Sequence, residues 1–166
     1  MAAITTAMCN SFKTELLTGT HNFTNGTGDT FKFVLIKSGY VGPNNSTPVN
    51  EYNKTFQAFG SAAGTPTITN LGTDAHASTG DYNSTSGVSL TSATPALSTD
   101  TAVCDFTDLS LTGTTISADG AIIYNSSKSN KACAVYSFGG TKTTTAGTFT
   151  VTFPAADASN AIIRSG

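Results

Sequence analysis

Apolar and polar positions along this chain follow two different rhythms. In GTFTVTF, Phe149, Val151 and Phe153 alternate strictly with Thr148, Thr150 and Thr152. A period of two puts the phenylalanines on one face and the hydroxyls on the other, which is the pattern of a half-buried strand. Similar short runs fill the C-terminal half, and strands are predicted over about 88–92, 101–112, 115–125, 131–138, 148–154 and 160–164. Pro154 ends its strand because it has no N–H to donate. Upstream, TFKFVLIKSG is apolar at both odd and even positions, so it reads as a strand at the centre of a sheet. Asp119–Gly120 and the run Asp105-Phe106-Thr107-Asp108 are candidate bulges.

AIIY and ACAVYSF flank the polar stretch NSSKSNK. They read as adjacent antiparallel strands joined by a turn. Strict alternation puts Ile122 and Tyr124 on a shared face, and likewise Ala132, Ala134, Tyr136 and Phe138. Gly139–Gly140 is expected to end the second strand and turn the chain toward GTFTVTF.

The other rhythm is helical and occurs near the start, in ITTAMCNSFKTELLTG. Met8, Phe12 and Leu16 recur every fourth residue, with Cys9, Glu15 and Leu17 beside them. An amphipathic helix is predicted over about 5–18, capped by Thr5 or Thr6 and stopped by Gly19. From Tyr40 to about Gly87 neither rhythm holds. Gly, Pro, Asn and Ser are dense there, and only NKTFQAF and TPTITNL have the composition of short strands. The expectation is a loop-rich excursion, and long loops in compact domains often carry function.

Composition strengthens the β reading. Charged residues make up only 11%, against roughly 25% in an average soluble chain. Thr, Ser, Asn and Gly supply the missing polarity, and Thr suits strands while the others suit turns. The 166 residues fit a single domain, 1–166. The expected fold is mainly β: an antiparallel β-sandwich or jelly-roll-like domain with one N-terminal α-helix.

Charge narrows the partners. A net charge of -2 with 8 Lys and Arg is a poor match to nucleic acid, which needs clustered cations. Lys128, Lys131 and Lys142 are the nearest approach to a cluster and read as a solvated hairpin tip. No apolar run approaches the roughly 18 residues of a membrane span, and the start lacks a leader pattern. Asn-x-Ser/Thr triplets such as Asn22-Phe23-Thr24 are expected by chance in such a composition. Cys9, Cys104 and Cys133 form no C-x-x-C pair, and Cys104 and Cys133 sit in apolar runs, so these two are expected to be buried and inert.

Candidate chemistry is sparse. No G-x-S-x-G elbow occurs, and His21 and His76 are the only histidines. Asp74 and His76 in TDAHAST have the spacing of two metal ligands without a third, and His76 reads as an exposed loop residue. Asp100, Asp105, Asp108, Asp119, Glu15 and Glu51 are the carboxylates from which a glycosidase pair would have to come. Asp105 and Asp108 sit where Asp normally bonds the local backbone. GTGDTF lacks the third glycine of a dinucleotide loop, and FGGTK lacks the spacing of a phosphate loop. No cofactor, metal or catalytic residue is therefore expected.

Three stretches at the two ends of the chain carry a resemblance. ISADGAIIYNSSKSNKACAVYSFGGTKTTTAGTFTVTFPAADASNAIIR, together with AMCNSFKTELLTGTHNF and FKFVLIKSG, resembles a family of small virion proteins of tailed bacteriophages. The likeness covers the two ends of the chain and no catalytic motif. It implies a non-enzymatic structural role in the virion, with capsid decoration or cement as the first reading. The partners would be the major capsid protein and copies of this chain, a trimer by analogy with phage decoration and fibre proteins. The alternative is a tail or tail-fibre component that touches host glycans. The partner-contact candidates are Phe12 and Leu16 on the helix and Tyr40, Tyr52, Phe56 and Phe59 in the excursion.

Overall fold

The computed structural model describes residues 4, 6–39 and 75–166. Over these the protein is mainly β and sandwich-like, with two antiparallel sheets and one short helix. The elements are β1 (Ala7–Met8), α1 (Asn10–Leu17), β2 (Phe31–Lys37), β3 (Val88–Leu90), β4 (Ala96–Ser98), β5 (Thr101–Cys104), β6 (Leu109–Asn125), β7 (Lys131–Val151) and β8 (Ile163–Ser165). One sheet has the order β1-β7-β6-β2-β3, the other β4-β5-β8. As its pattern implied, β2 is central, and Phe31, Phe33, Val34, Leu35 and Ile36 are all buried.

β6 and β7 are far longer than the expected pieces, at 17 and 21 residues. Their connection is a 3-10 turn, Ser126–Lys128, followed by Ser129 and Asn130 with φ of 56° and 58°. Gly139 and Gly140 do not end the second strand. They have φ of 68° and 142°, conformations open to glycine and strained for other residues, and β7 runs on through them. The ladder pairs Ala118 with Lys142 and then Gly120 with Ser137, so 138–141 face Asp119 alone. Thr141 Oγ1 donates to Asp119 Oδ1 across this gap at 2.6 Å.

This wide bulge folds the hairpin back on itself. Phe138 and Phe149 are eleven residues apart, which at ~3.3 Å per residue is about 36 Å of straight strand. Their ring centroids lie 6.1 Å apart. Likewise Phe106, just before β6, lies 5.7 Å from Phe31, which pairs with Asn125 at the other end of β6. One hairpin thus supplies both a near half, inside the five-stranded sheet, and a far half that returns over the core.

Other departures from the expected pattern have local causes. Ile123 pairs with Ala134 but Tyr124 pairs with Ala132, which leaves Cys133 unmatched. That bulge shifts the alternation by one, so Ala132 joins Val135 on the face of Ile122 and Tyr124, opposite to Ala134 and Tyr136. The expected strand 101–112 breaks at 105–108. Asp105 Oδ1 accepts from Phe106 N at 2.8 Å, and Asp108 Oδ1 accepts from Phe153 N at 2.8 Å. These bonds replace ladder bonds and also stop β7 before Pro154. The helix begins at Asn10, because Ala7 and Met8 instead pair with Val135 and Ala134 at the sheet edge. Thr6 is no cap: its hydroxyl accepts from Ser137 N at 3.0 Å. Gly19, at φ 67°, does end the helix as expected, and Thr20 N closes it on Glu15 O at 2.9 Å.

The two edges of the far half differ. On β6, three side chains from one short segment accept backbone N–H groups: His76 Nε2 from Ser117 at 3.1 Å, Thr79 Oγ1 from Thr115 at 3.0 Å, and Asp81 Oδ2 from Thr112 at 2.8 Å. On β7, no strand among the described residues pairs along the outer side beyond β1.

Candidate partner-binding site

α1 is held on the sheet by a chain of polar contacts beneath it. Asn125, fully buried at the end of β6, is its centre. Its Nδ2 donates to His21 Nδ1 and to Asp29 Oδ2, each at 2.8 Å, while its Oδ1 accepts from Ser127 N at 3.0 Å. Because Nδ1 of His21 accepts, the ring proton sits on Nε2 and donates to Glu15 Oε2 at 2.8 Å. Lys131 closes on the other oxygen of Glu15, and Lys128 lies 3.5 Å from Asp29. Each carboxylate therefore has one lysine. Burial raises the Glu15 carboxyl, but the bonds from Lys131 and His21 outweigh it and hold the group below its usual range. Asp29 is lowered in the same way: burial is outweighed by bonds from Asn22 N, Asn125 and Lys128.

Phe12, one of the expected contact residues, faces this interior. It is 1% exposed and packs at 4.8 Å on the His21 ring, so within this chain it belongs to the core. Leu16 is half-buried. Leu17 beside it is 91% exposed, because consecutive helix positions are turned about 100° apart and only one of the two leucines can face inward. Tyr40, Tyr52, Phe56 and Phe59 lie outside the described residues.

Leu16 and Leu17 border a shallow groove of about 450 Å³ between α1 and the three-stranded sheet. Phe23, Pro95, Ala102 and Ile163 form its apolar walls, and Lys13 and Arg164 stand on its rim. Leu97, 72% exposed, pairs with Ala102 and so lies on the same sheet face. Leu17 and Leu97 are the two large hydrophobic residues most exposed among the described residues; Leu17 lines this groove, and Leu97 stands on the sheet face that Ala102 contributes to it. Leu97 was not foreseen. Its three-residue strand, between Pro95 and the Thr99–Asp100 turn, is too short to show a period.

The candidate chemical groups that the structure describes, Asp100 apart, have structural partners, and Glu51 and Asp74 lie outside the described residues. His21 uses both ring nitrogens, and neither is free to move a proton to a substrate. His76 is half-buried, where the pattern suggested an exposed loop. It donates Nδ1–H to Ala77 O at 2.7 Å and accepts with Nε2. Asp105 is 3% exposed and takes Phe106 N and Ile162 N. Burial is the main reason its carboxyl is raised, with the nearby Asp108 charge adding to it. Asp119 takes Thr141. The three thiols are free and buried, and burial pushes Cys104 up to about 11 and Cys9 up to about 12. No group of three metal-ligating side chains occurs among the described residues. Both glycine clusters are structural: GTGDTF is a tight turn into β2, where Asp29 Oδ2 accepts Asn22 N at 2.9 Å, and FGGTK is the bend of β7.

Comparison with protein-family models, with curated proteins and with solved structures gives no match.

Proposed function

We propose that this protein is a non-enzymatic assembly protein that docks through the groove between α1 and the three-stranded sheet. The observation that carries the reading is an apolar groove lined by the exposed Leu17, with the exposed Leu97 on the sheet face that bears its lining residue Ala102. Exposed apolar side chains gathered around a groove mark interaction sites more than scattered ones do. The polar network under α1 supports it further, since a helix tied by Glu15 and His21 presents its leucines without a large ordering cost on binding.

The resemblance supplies the setting. In it the protein is a capsid decoration or cement protein of a tailed bacteriophage, which binds the major capsid protein lattice and raises head stability by binding only the assembled state. Many weak contacts on a lattice hold firmly through avidity. The test adds purified protein to capsids that lack it and follows their melting temperature. Wild-type protein is expected to raise it. Leu17→Asp with Leu97→Asp, both at exposed positions, is expected to leave the protein's own melting unchanged and abolish the rise. Labelled protein found only on tails would overturn the capsid setting, and full binding by the double variant would overturn the groove.

A further inference from the structure

The folded-back hairpin leaves a second groove beside its glycine bend, lined on that side by Ser137, Phe138 and Lys142. It encloses about 600 Å³, within the roughly 300–1,000 Å³ of small-molecule sites. Phe138, Phe149 and Phe153 wall it, and Phe33 of β2 lines it too. Thr6, Tyr136 and Ile162 line both this groove and a smaller chamber of about 100 Å³ that continues inward among Met8, Phe12, Phe106 and Ile123. These three residues therefore form a throat between an outer aromatic groove and an inner apolar pocket.

Two donors at this site have no partner among the described residues. Lys142, on the rim, makes no ion pair and no hydrogen bond, and the nearby Asp119 carboxylate is taken by Thr141. The hydroxyl of Tyr136, a half-buried residue, makes no hydrogen bond with the described residues. The geometry points to a binding site for a small amphiphilic carboxylate, whose apolar tail enters past Tyr136 and whose charged head meets Lys142. The tail supplies the affinity, because each buried methylene contributes a roughly fourfold factor. The part-exposed ion pair supplies only a few-fold preference of sign.

The experiment titrates the full chain with hexanoate, octanoate and decanoate by calorimetry, with decyltrimethylammonium as the cationic counterpart, all below their micelle concentrations. The protein lacks tryptophan, so Phe138→Trp adds a single fluorescent reporter in the groove wall. Affinity is expected to rise roughly three- to fourfold per methylene, with decanoate preferred over decyltrimethylammonium by about threefold or more. Lys142→Gln, an exposed position, is expected to erase that preference and keep the chain-length dependence. Ala134→Leu, which narrows the inner chamber, is expected to flatten the chain-length dependence while the Lys142 preference persists. No saturable binding of decanoate by the wild type, equal binding of the two head groups, or an unchanged preference in Lys142→Gln would each overturn the assignment.

Discussion

The near and far halves of the β6–β7 hairpin are made of the same two strands but held by different means. In the near half, Ala121, Ile122, Ile123 and Tyr124 are all buried, β2 covers one edge and α1 covers a face. Its polar groups are few and meet in one network around Asn125. In the far half the buried positions are isolated, such as Leu111, Thr114, Ile116 and Phe149, and hydroxyls dominate. Thr114 Oγ1 bonds Gly147 O at 3.2 Å, and Thr144 Oγ1 accepts from Ile116 N at 3.2 Å. The near half is stabilised mainly by removing apolar area from water. The far half is stabilised by side-chain hydrogen bonds that repair an irregular ladder. Ion pairs occur only around the near half's network, where Lys131 meets Glu15 and Lys128 meets Asp29, among the described residues.

The largest break in this contrast should come from Phe33→Ala. Phe33 is 1% exposed and packs on the near half, so its loss is expected to cost about 3–5 kcal/mol in denaturant unfolding. Thr150→Ala, on the exposed face of the far half, serves as the counterpart at within about 0.5 kcal/mol. Equal losses at the two sites would dissolve the distinction.

Asn125→Ala should follow, at about 1–3 kcal/mol, because it leaves His21 and Asp29 short of a buried donor. Hydrogen exchange should show the loss at α1 and the hairpin turn and not at the far half.

Acid should weaken the near half through Glu15 and Asp29. Glu15 and Asp29 both have carboxyls held below their usual values in the fold, so their contribution is complete above the unfolded values near 4. It is lost as pH falls through the lower folded values. Stability measured from pH 6 to pH 2 should therefore fall below about pH 4, with a shallower fall in Glu15→Gln. A variant with the wild-type slope would remove Glu15 from this role.

The bend offers the subtlest test. At Gly139 a Cβ meets nothing within 4 Å, so Gly139→Ala adds only the strain of a left-handed residue, about 1–2 kcal/mol. Thermal melting should drop accordingly, and the far half should gain exchange while the near half keeps its protection.

Much of this architecture was legible in the residues. Strict alternation in GTFTVTF and the two-sided apolarity of TFKFVLIKSG marked strands, and Gly19 marked the helix end, because these are local rules. The bulge at Cys133 was not legible. Nothing in ACAVYSF says which residue will lack a partner, since that depends on how β2 and β1 seat the hairpin. Gly139–Gly140 announced a change of direction but not its kind: a glycine pair can end a strand or bend it, and only the packing of Phe138 on Phe149 distinguishes them. The helix was misjudged at its start because Ala7 and Met8 have good helix propensity, which edge pairing with β7 overrode. At the candidate site Leu16 was visible as part of a stripe. Phe12 belonged to the same stripe, and a stripe does not say whether its partner is the chain itself or another.

The three acceptors along β6 also govern how copies of the protein can add to one another. His76, Thr79 and Asp81 occupy the N–H groups an incoming strand would need, so the far ribbon can accept a strand only at β7. A sheet that can grow from one side cannot build a continuous fibre in that direction. Two copies meeting at β7 would close a two-fold pair and leave no free rung for a third. A threonine-rich, nearly uncharged ribbon would otherwise be an aggregation hazard at both edges, and these side chains close one of them.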